Sequence, residues 1–291
     1  MKIEAQFDAA TYTLTYIVWD ENTRDAVIID PVMDYEPAGS TYWYESIDRV
    51  MGFVKAQKLK VHLLMETHAH ADHLSGSQEL KKRLSSPRIA IGKNISKVQE
   101  VFKGVFNLDP AFKTDGSQFD LLLGDGEEVV AGSLKVKVLH TPGHTPACSS
   151  YLIEDALFVG DALFMPDYGV GRCDFPAGSA TDLYQSIKNR IYSLPDETRV
   201  FTGHDYQPGG RPLRYEATVG ESKRTNKQIQ DKTTKEEFVK FRTDRDRTLS
   251  APRLLLPSVL VNIDAGRIPP PENNGMSYLK LPIRPASSVS G

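Results

Sequence analysis

The stretch Thr67-His68-Ala69-His70-Ala71-Asp72-His73 packs three histidines and a carboxylate into seven residues. No other segment restricts the chain as strongly. Imidazole is the commonest transition-metal ligand, and a mixed imidazole and carboxylate set suits zinc, iron or manganese rather than metals that select thiolates. A chain carrying this set needs a stiff scaffold that presents the side chains at one place. The competing reading is a surface tract that binds metal adventitiously, and it weakens with every further ligand found downstream.

The flanking sequence supplies such a scaffold. Thr11 to Trp19 alternates as a strand, Asp20-Glu21-Asn22 marks a turn, and Ala26 to Asp30 is its antiparallel partner. Asp34 to Trp43, with Pro37 and Gly39, reads as a loop. Ile47, Val50, Met51, Val54 and Leu59 recur at helical spacing, and Val61 to Glu66 is a short buried strand. The histidine cluster starts where that strand stops. Ser75 with Gln78 has the form of a capping box, opening a helix that runs through Glu79 to Leu84.

Ile89 to Gly92 is a further short strand, with a helix near Val98 to Phe106. Leu134 to Leu139 alternates apolar and charged residues as a half-exposed strand, ending at His140-Thr141-Pro142-Gly143-His144, where Pro-Gly forces a turn. Ser150 to Ile153 and Ala156 to Val159 are strands, the second stopping at Gly160-Asp161. A helix from Thr181 to Leu194 precedes the strand Arg199 to Thr202 and then Gly203-His204-Asp205-Tyr206. His68, His144, Asp161 and His204 therefore each follow a predicted strand. Loops from adjacent strands bring such residues to one sheet edge, where functional groups are commonly mounted.

Beyond Arg211 the chain becomes more polar. Thr234 with Glu237 is a second capping-box pattern, and the charges at Arg242, Arg245, Asp246 and Arg247 read as the solvated face of the helix it opens. Leu254-Leu255-Leu256-Pro257 is apolar enough to dock on the core, and the segment around Pro269-Pro270-Pro271 is a loop leading to Tyr278 to Ile283. The expected division is a catalytic domain over 1–210 and a C-terminal extension over 211–291 packed on it.

A net charge of −3 gives no long-range attraction for nucleic acid or an anionic membrane, so neither is an expected partner. Only two cysteines, Cys148 and Cys173, are present, too few for a disulfide scaffold. The N-terminus lacks the apolar run of a signal peptide, and the expected compartment is the cytoplasm. A homodimer is left open.

The motif H-x-H-x-D-H followed by His144, Asp161 and His204 resembles the ligand set of the metallo-β-lactamase superfamily over about residues 10 to 206. The resemblance implies an α/β fold, a four-layered αβ/βα sandwich with a C-terminal extension, and a site at the edge shared by its two sheets. Ligand counting favours two metals. In the binuclear hydrolases of the superfamily His68, His70 and His144 hold one ion, Asp72, His73 and His204 the other, and Asp161 bridges them. That arrangement corresponds to a zinc, glyoxalase II-like hydrolase of glutathione thioesters.

Downstream elements resemble the persulfide dioxygenase branch instead. They are Gly160-Asp161-Ala162-Leu163-Phe164, Gly169-Val170-Gly171-Arg172-Cys173-Asp174-Phe175 and Gly203-His204-Asp205-Tyr206. This resemblance implies one Fe(II) per chain held by His68, His144 and Asp161, the two-histidine, one-carboxylate triad of non-heme iron oxygenases. His70, Asp72, His73 and His204 then support the site or line a vacant second one. The implied substrates are glutathione persulfide and O2, with sulfite as the oxidised product. By the same resemblance Arg172 and Tyr206 hold the glutathione, although an ion pair with Asp174 is an equal reading for Arg172. Cys173 and Cys148 read as small buried residues. A non-catalytic sulfide or metal sensor on the same fold is the remaining alternative.

Overall fold

The N-terminal hairpin forms as the alternation predicts, and it acquires a third strand that the sequence reading did not include. β1 (Lys2–Asp8) pairs antiparallel with β2 (Thr13–Trp19), which pairs antiparallel with β3 (Asp25–Ile29). The structure, a computed structural model, describes residues 1–283.

Residues 34–43 depart from the expected loop. β4 (Val32–Glu36) and β5 (Thr41–Trp43) form a small hairpin in which Glu36 opposes Thr41. Pro37 and Gly39 thus mark a tight turn within a hairpin. α1 (Glu45–Gln57) buries Ile47, Val50 and Val54 and ends at Lys58 in the left-handed region, φ 53°. β6 (Lys60–Glu66) then runs parallel to β3, delivering the histidine cluster to the end of the sheet.

β7 (Leu74–Ser75) pairs with β4, and α2 (Ser77–Arg83) follows. The capping box expected at Ser75 is not made. Its hydroxyl donates to the buried Glu66 carboxylate and accepts from the Ser77 amide at 3.1 Å, and Gly76 occupies the cap position. β8 (Arg88–Gly92), α3 (Ile95–Phe106) and β9 (Leu121–Leu123) complete a six-stranded sheet of order β1-β2-β3-β6-β8-β9.

The second sheet contains β10 (Glu128–Ala131), β11 (Leu134–His140), β12 (Ser149–Ile153) and β13 (Ala156–Phe158) in antiparallel order. α4 (Ala180–Ser186) runs into a π-helical turn at Ile187–Ile191 before β14 (Arg199–Phe201), which lies parallel to β13. β15 (Glu216–Thr218) is the sixth strand, followed by α5 (Val219–Thr225), α6 (Lys235–Asp246) and α7 (Leu255–Asn262).

β2 shows why the two sheets stack. Leu14, Tyr16 and Val18 face a core shared with Val136, Tyr151 and Phe158 of the second sheet. Ile17 and Trp19 point the other way, into a core capped by α1, α3 and α7. Both faces are covered, so the whole strand is buried. On the far side Leu183, Ile187 and Phe238 close a third core over the second sheet. The result is the expected four-layered αβ/βα sandwich.

Residues past 210 are built into both halves: β15 extends the second sheet, and α7 covers the first. The end of the expected extension, 284–291, lies outside the described residues. α6 carries the capping box predicted at Thr234 and Glu237. Its charges, however, do not all face solvent. Arg242 and Asp246 are buried and paired at 2.6 Å, because Arg242 also reaches Gln228 and Asp246 accepts from the Cys173 amide. Only Arg245 and Arg247 of the four are exposed. Among the described residues no helix is long and apolar enough to cross a membrane.

Candidate metal centre

Two neighbouring parallel strands end on carboxylates, and these set the position of the first histidine. Asp30 follows β3 and Glu66 ends β6; both are buried. Asp30 accepts the Thr67 amide at 2.7 Å and the Thr67 hydroxyl at 2.8 Å, which fixes the chain as it leaves β6. Gly160 packs against the same Thr67 at φ 51°; an added Cβ would fall 2.5 Å from Thr67 Oγ1, so this approach requires glycine.

Hydrogen bonds select the tautomer of three of the five ligand-type histidines, His68, His144 and His204. The Thr67 hydroxyl has given its proton to Asp30, so it accepts from His68 Nδ1 at 3.0 Å and leaves Nε2 bare. His144 Nδ1 lies 2.7 Å from the Arg172 carbonyl, which can only accept, and His204 Nδ1 lies 3.2 Å from the Tyr12 carbonyl. The Nε2 atoms of His144 and His204 are therefore bare as well, 3.6 Å and 3.3 Å from the Asp161 carboxylate. This pattern, one ring nitrogen tied to a carbonyl or hydroxyl and the other free, is that of metal-binding imidazoles.

The structure brings all seven expected residues together. His68, His144 and Asp161 each offer one atom within 4.8 Å of the others, and His70, Asp72 and His73 form a second such group. His204 Nε2 lies 3.2 Å from Asp72, linking the two. Buried atoms without hydrogen-bond partners concentrate here: His68 Nε2, His70 Nδ1, His73 Nε2 and Asp161 Oδ1, while His70 Nε2 faces the Asp30 carboxylate at 3.0 Å. Each such atom costs about 1–3 kcal/mol if nothing satisfies it. A cation coordinated by nitrogen and oxygen would satisfy them together, so the residues fit a metal centre.

A third group, Asp30, Glu66 and His70, lies beneath. Burial pushes Asp30 up to about 6; burial and the Asp30 charge push Glu66 up to about 7. Burial holds His68 and His70 well below the usual imidazole value, which keeps their nitrogens available as ligands. Burial opposes charge on His73 too, but the Asp72 carboxylate overcomes it and raises the ring.

In sequence Asp30, Glu66 and Thr67 read only as strand ends and as the start of the cluster, with no role at the site. The available signal was an apolar strand ending on an acid, twice, in adjacent parallel strands. Asn262 of α7 was missed as well. Its side chain donates to the carbonyls of His70 and His73 and accepts from the Ser75 amide, clamping the cluster from the C-terminal segment. Replacing Thr67 by valine removes the group that orients His68. We expect metal affinity to fall about 10–100-fold, read by competition with a chromogenic chelator; an unchanged affinity would contradict this orientation.

A cavity of about 800 Å³ opens above Asp161 and His144. Tyr206 lines it, stacked on His204 at 5.4 Å and on Tyr168 at 4.7 Å between ring centres. Arg172 lines it too, but its guanidinium is held at 2.6 Å by Asp174 through both Nε and Nη2, and Nη1 donates to the Ser250 carbonyl. Cys173 and Cys148 are buried, and burial raises both thiols, Cys148 to about 12. Neither is a reactive thiolate.

Bare imidazole nitrogens and a carboxylate at the rim of an αβ/βα sandwich, opening on a cavity, define a metal-dependent enzyme. The chain belongs to the metallo-beta-lactamase superfamily, whose model matches residues 9–204, and the persulfide dioxygenases among its relatives support that branch. It is 47% identical to a probable metallo-hydrolase of Burkholderia pseudomallei, over 97% of this chain and 99% of that one. Glyoxylase B2 of Dictyostelium discoideum is also 47% identical, over 97% of each chain. Human mitochondrial persulfide dioxygenase ETHE1 is 30% identical over 70% of this chain and 68% of its own. Among solved structures, ETHE1 of Myxococcus xanthus matches with a TM-score of 0.73 and 32% identity, covering 92% of this chain and all of that one.

Proposed function

We propose that the protein is a glutathione persulfide dioxygenase with one Fe(II) held by His68, His144 and Asp161. The observation that carries this reading is the triad itself: two bare Nε2 atoms and one carboxylate, grouped within 4.8 Å beside an open cavity. When bound, ferrous iron in such a set supplies the redox chemistry that lets dioxygen react with a sulfur substrate.

The chain's own residues orient and enclose. Thr67 and the Arg172 carbonyl hold the two imidazoles in the tautomer that exposes Nε2. Phe164, Tyr168 and Tyr206 form an aromatic wall that keeps water from the reacting sulfur. Tyr206 offers its hydroxyl to the substrate. Arg172 keeps two of its five N–H donors beyond those given to Asp174 and Ser250, and it serves as a hydrogen-bond donor whose charge is already matched. The overall reaction consumes one persulfide, one dioxygen and one water and yields one thiol, one sulfite and two protons. The sulfane sulfur is oxidised and dioxygen is reduced.

A second reading has its own support. His70, Asp72 and His73 form a further ligand group, and relatives at 47% identity carry the names metallo-hydrolase and glyoxylase. It makes the protein a binuclear zinc hydrolase of glutathione thioesters. One assay separates the two: anaerobically iron-loaded protein in an oxygen electrode, given glutathione persulfide and, separately, S-lactoylglutathione. Oxygen uptake with matching sulfite release is expected. Thioester hydrolysis without oxygen uptake, in protein holding about two zinc ions per chain, would replace the dioxygenase with the hydrolase.

A further inference from the structure

The cavity's charge does not match the charge of the protein. The chain carries −3 overall, yet Arg172, Lys227, Arg242, Arg245 and Arg253 all line this one cavity. Among the described residues its only carboxylates are Asp72 and Asp161, which belong to the metal groups at the floor.

Most of these cations are already engaged. Arg172 is forked onto Asp174, Arg242 is buried against Asp246, and Arg253 lies 3.4 Å from Glu36. Neighbouring charges on α6 are paired too, Lys240 with Asp244 at 2.6 Å and Arg247 with Asp244 at 3.8 Å. Arg245 and Lys227 differ. Both are exposed, both line the cavity, and among the described residues neither side chain makes an ion pair or a hydrogen bond. Arg245 lines the same cavity as Tyr168 and Tyr206 of the aromatic wall.

We infer that Arg245 and Lys227 are the specificity-determining contacts for the two carboxylates of a peptide thiol, reached while its sulfur sits over the triad. This inference rests on the proposed use of a glutathione-based substrate. A cavity of about 800 Å³ accommodates a tripeptide. Phe164, Val170, Leu249 and Leu254 give it an apolar surface for the cysteinyl part. An unpaired cation at a cavity rim gains a charge-assisted bond with a carboxylate without giving up an existing partner, which Arg172 cannot do. Selection by the C-terminal segment follows, since both residues lie beyond the stretch 9–204 that defines the family.

The test is calorimetric titration of the iron-loaded protein, under argon, with glutathione and with glutathione diethyl ester. Arg245→Ala and Lys227→Ala should each weaken glutathione binding about tenfold, and the double variant about a hundredfold. The ester should bind the wild type as poorly as the acid binds the double variant. Arg245→Lys should restore part of the loss. Arg247→Ala, two residues along the helix but outside the cavity, should bind as the wild type does. In turnover the alanine variants should raise KM and leave kcat in place. Undiminished glutathione binding in the double variant, or no glutathione binding by the wild type, would overturn the assignment. Binding needs no turnover: wild-type protein that binds glutathione through these residues but consumes no oxygen leaves this inference standing and removes the dioxygenase.

Discussion

His144→Ala should leave a folded protein without iron and without oxygen uptake. The imidazole arrives from a Pro-Gly turn after β11, and its Nδ1 is fixed by the Arg172 carbonyl at 2.7 Å. Its Nε2 is one of three atoms in the triad group. A two-residue remainder, His68 and Asp161, lacks the facial set that retains ferrous iron. Iron should drop from about one per chain to background by elemental analysis, with circular dichroism unchanged because the ring contributes little to the three cores. Asp72→Asn is the informative companion. It lies in the second group, so it should keep its iron if one metal suffices and lose half its metal if two are needed. A His144→Ala protein with full activity would refute the site.

Particular residues show where sequence was enough. The ligand histidines were legible because each lies just past a strand whose apolar pattern was clear, and the sandwich followed from those strands. The two capping-box patterns had different fates for a physical reason. Thr234 sits in exposed chain, where its hydroxyl accepts from the Glu237 amide and donates to the Glu237 carboxylate, so it caps α6. Ser75 is buried beside a carboxylate, and its hydroxyl is turned to donate to Glu66, a position from which it accepts the Ser77 amide at 3.1 Å but not the Gln78 amide that a capping box needs. The same logic hid Arg242 and Asp246. Five charges in the six residues 242–247 look solvated, and only the tertiary position of α6 over the cavity buries two of them. Asp30, Glu66 and Asn262 were illegible because their roles depend on pairing between distant segments, which no local pattern encodes. Arg172 was found by motif, yet the motif could not show that Asp174 holds it.

Asp246→Ala should be the most destabilising single change outside the metal ligands. Asp246 accepts from Arg242 at 2.6 Å and from the Cys173 amide at 2.8 Å, with side chains only 3% and 6% exposed across the ion pair. Truncation leaves an uncompensated buried guanidinium, a loss of about 3–5 kcal/mol. It also releases the Cys173 amide, next to the Arg172 carbonyl that orients His144. Urea unfolding should therefore show a lower midpoint, and the surviving folded protein should bind metal more weakly. The double variant Arg242→Met with Asp246→Leu separates the two effects. Removing both charges takes away the buried guanidinium, so most of the stability should return. The Cys173 amide stays unpaired and should keep a residual cost of about 1–3 kcal/mol. Metal affinity should follow that amide rather than the ion pair, remaining low in the double variant even where the unfolding midpoint recovers. A double variant as unstable as Asp246→Ala would mean that packing of α6, and not the buried charge, sets the loss.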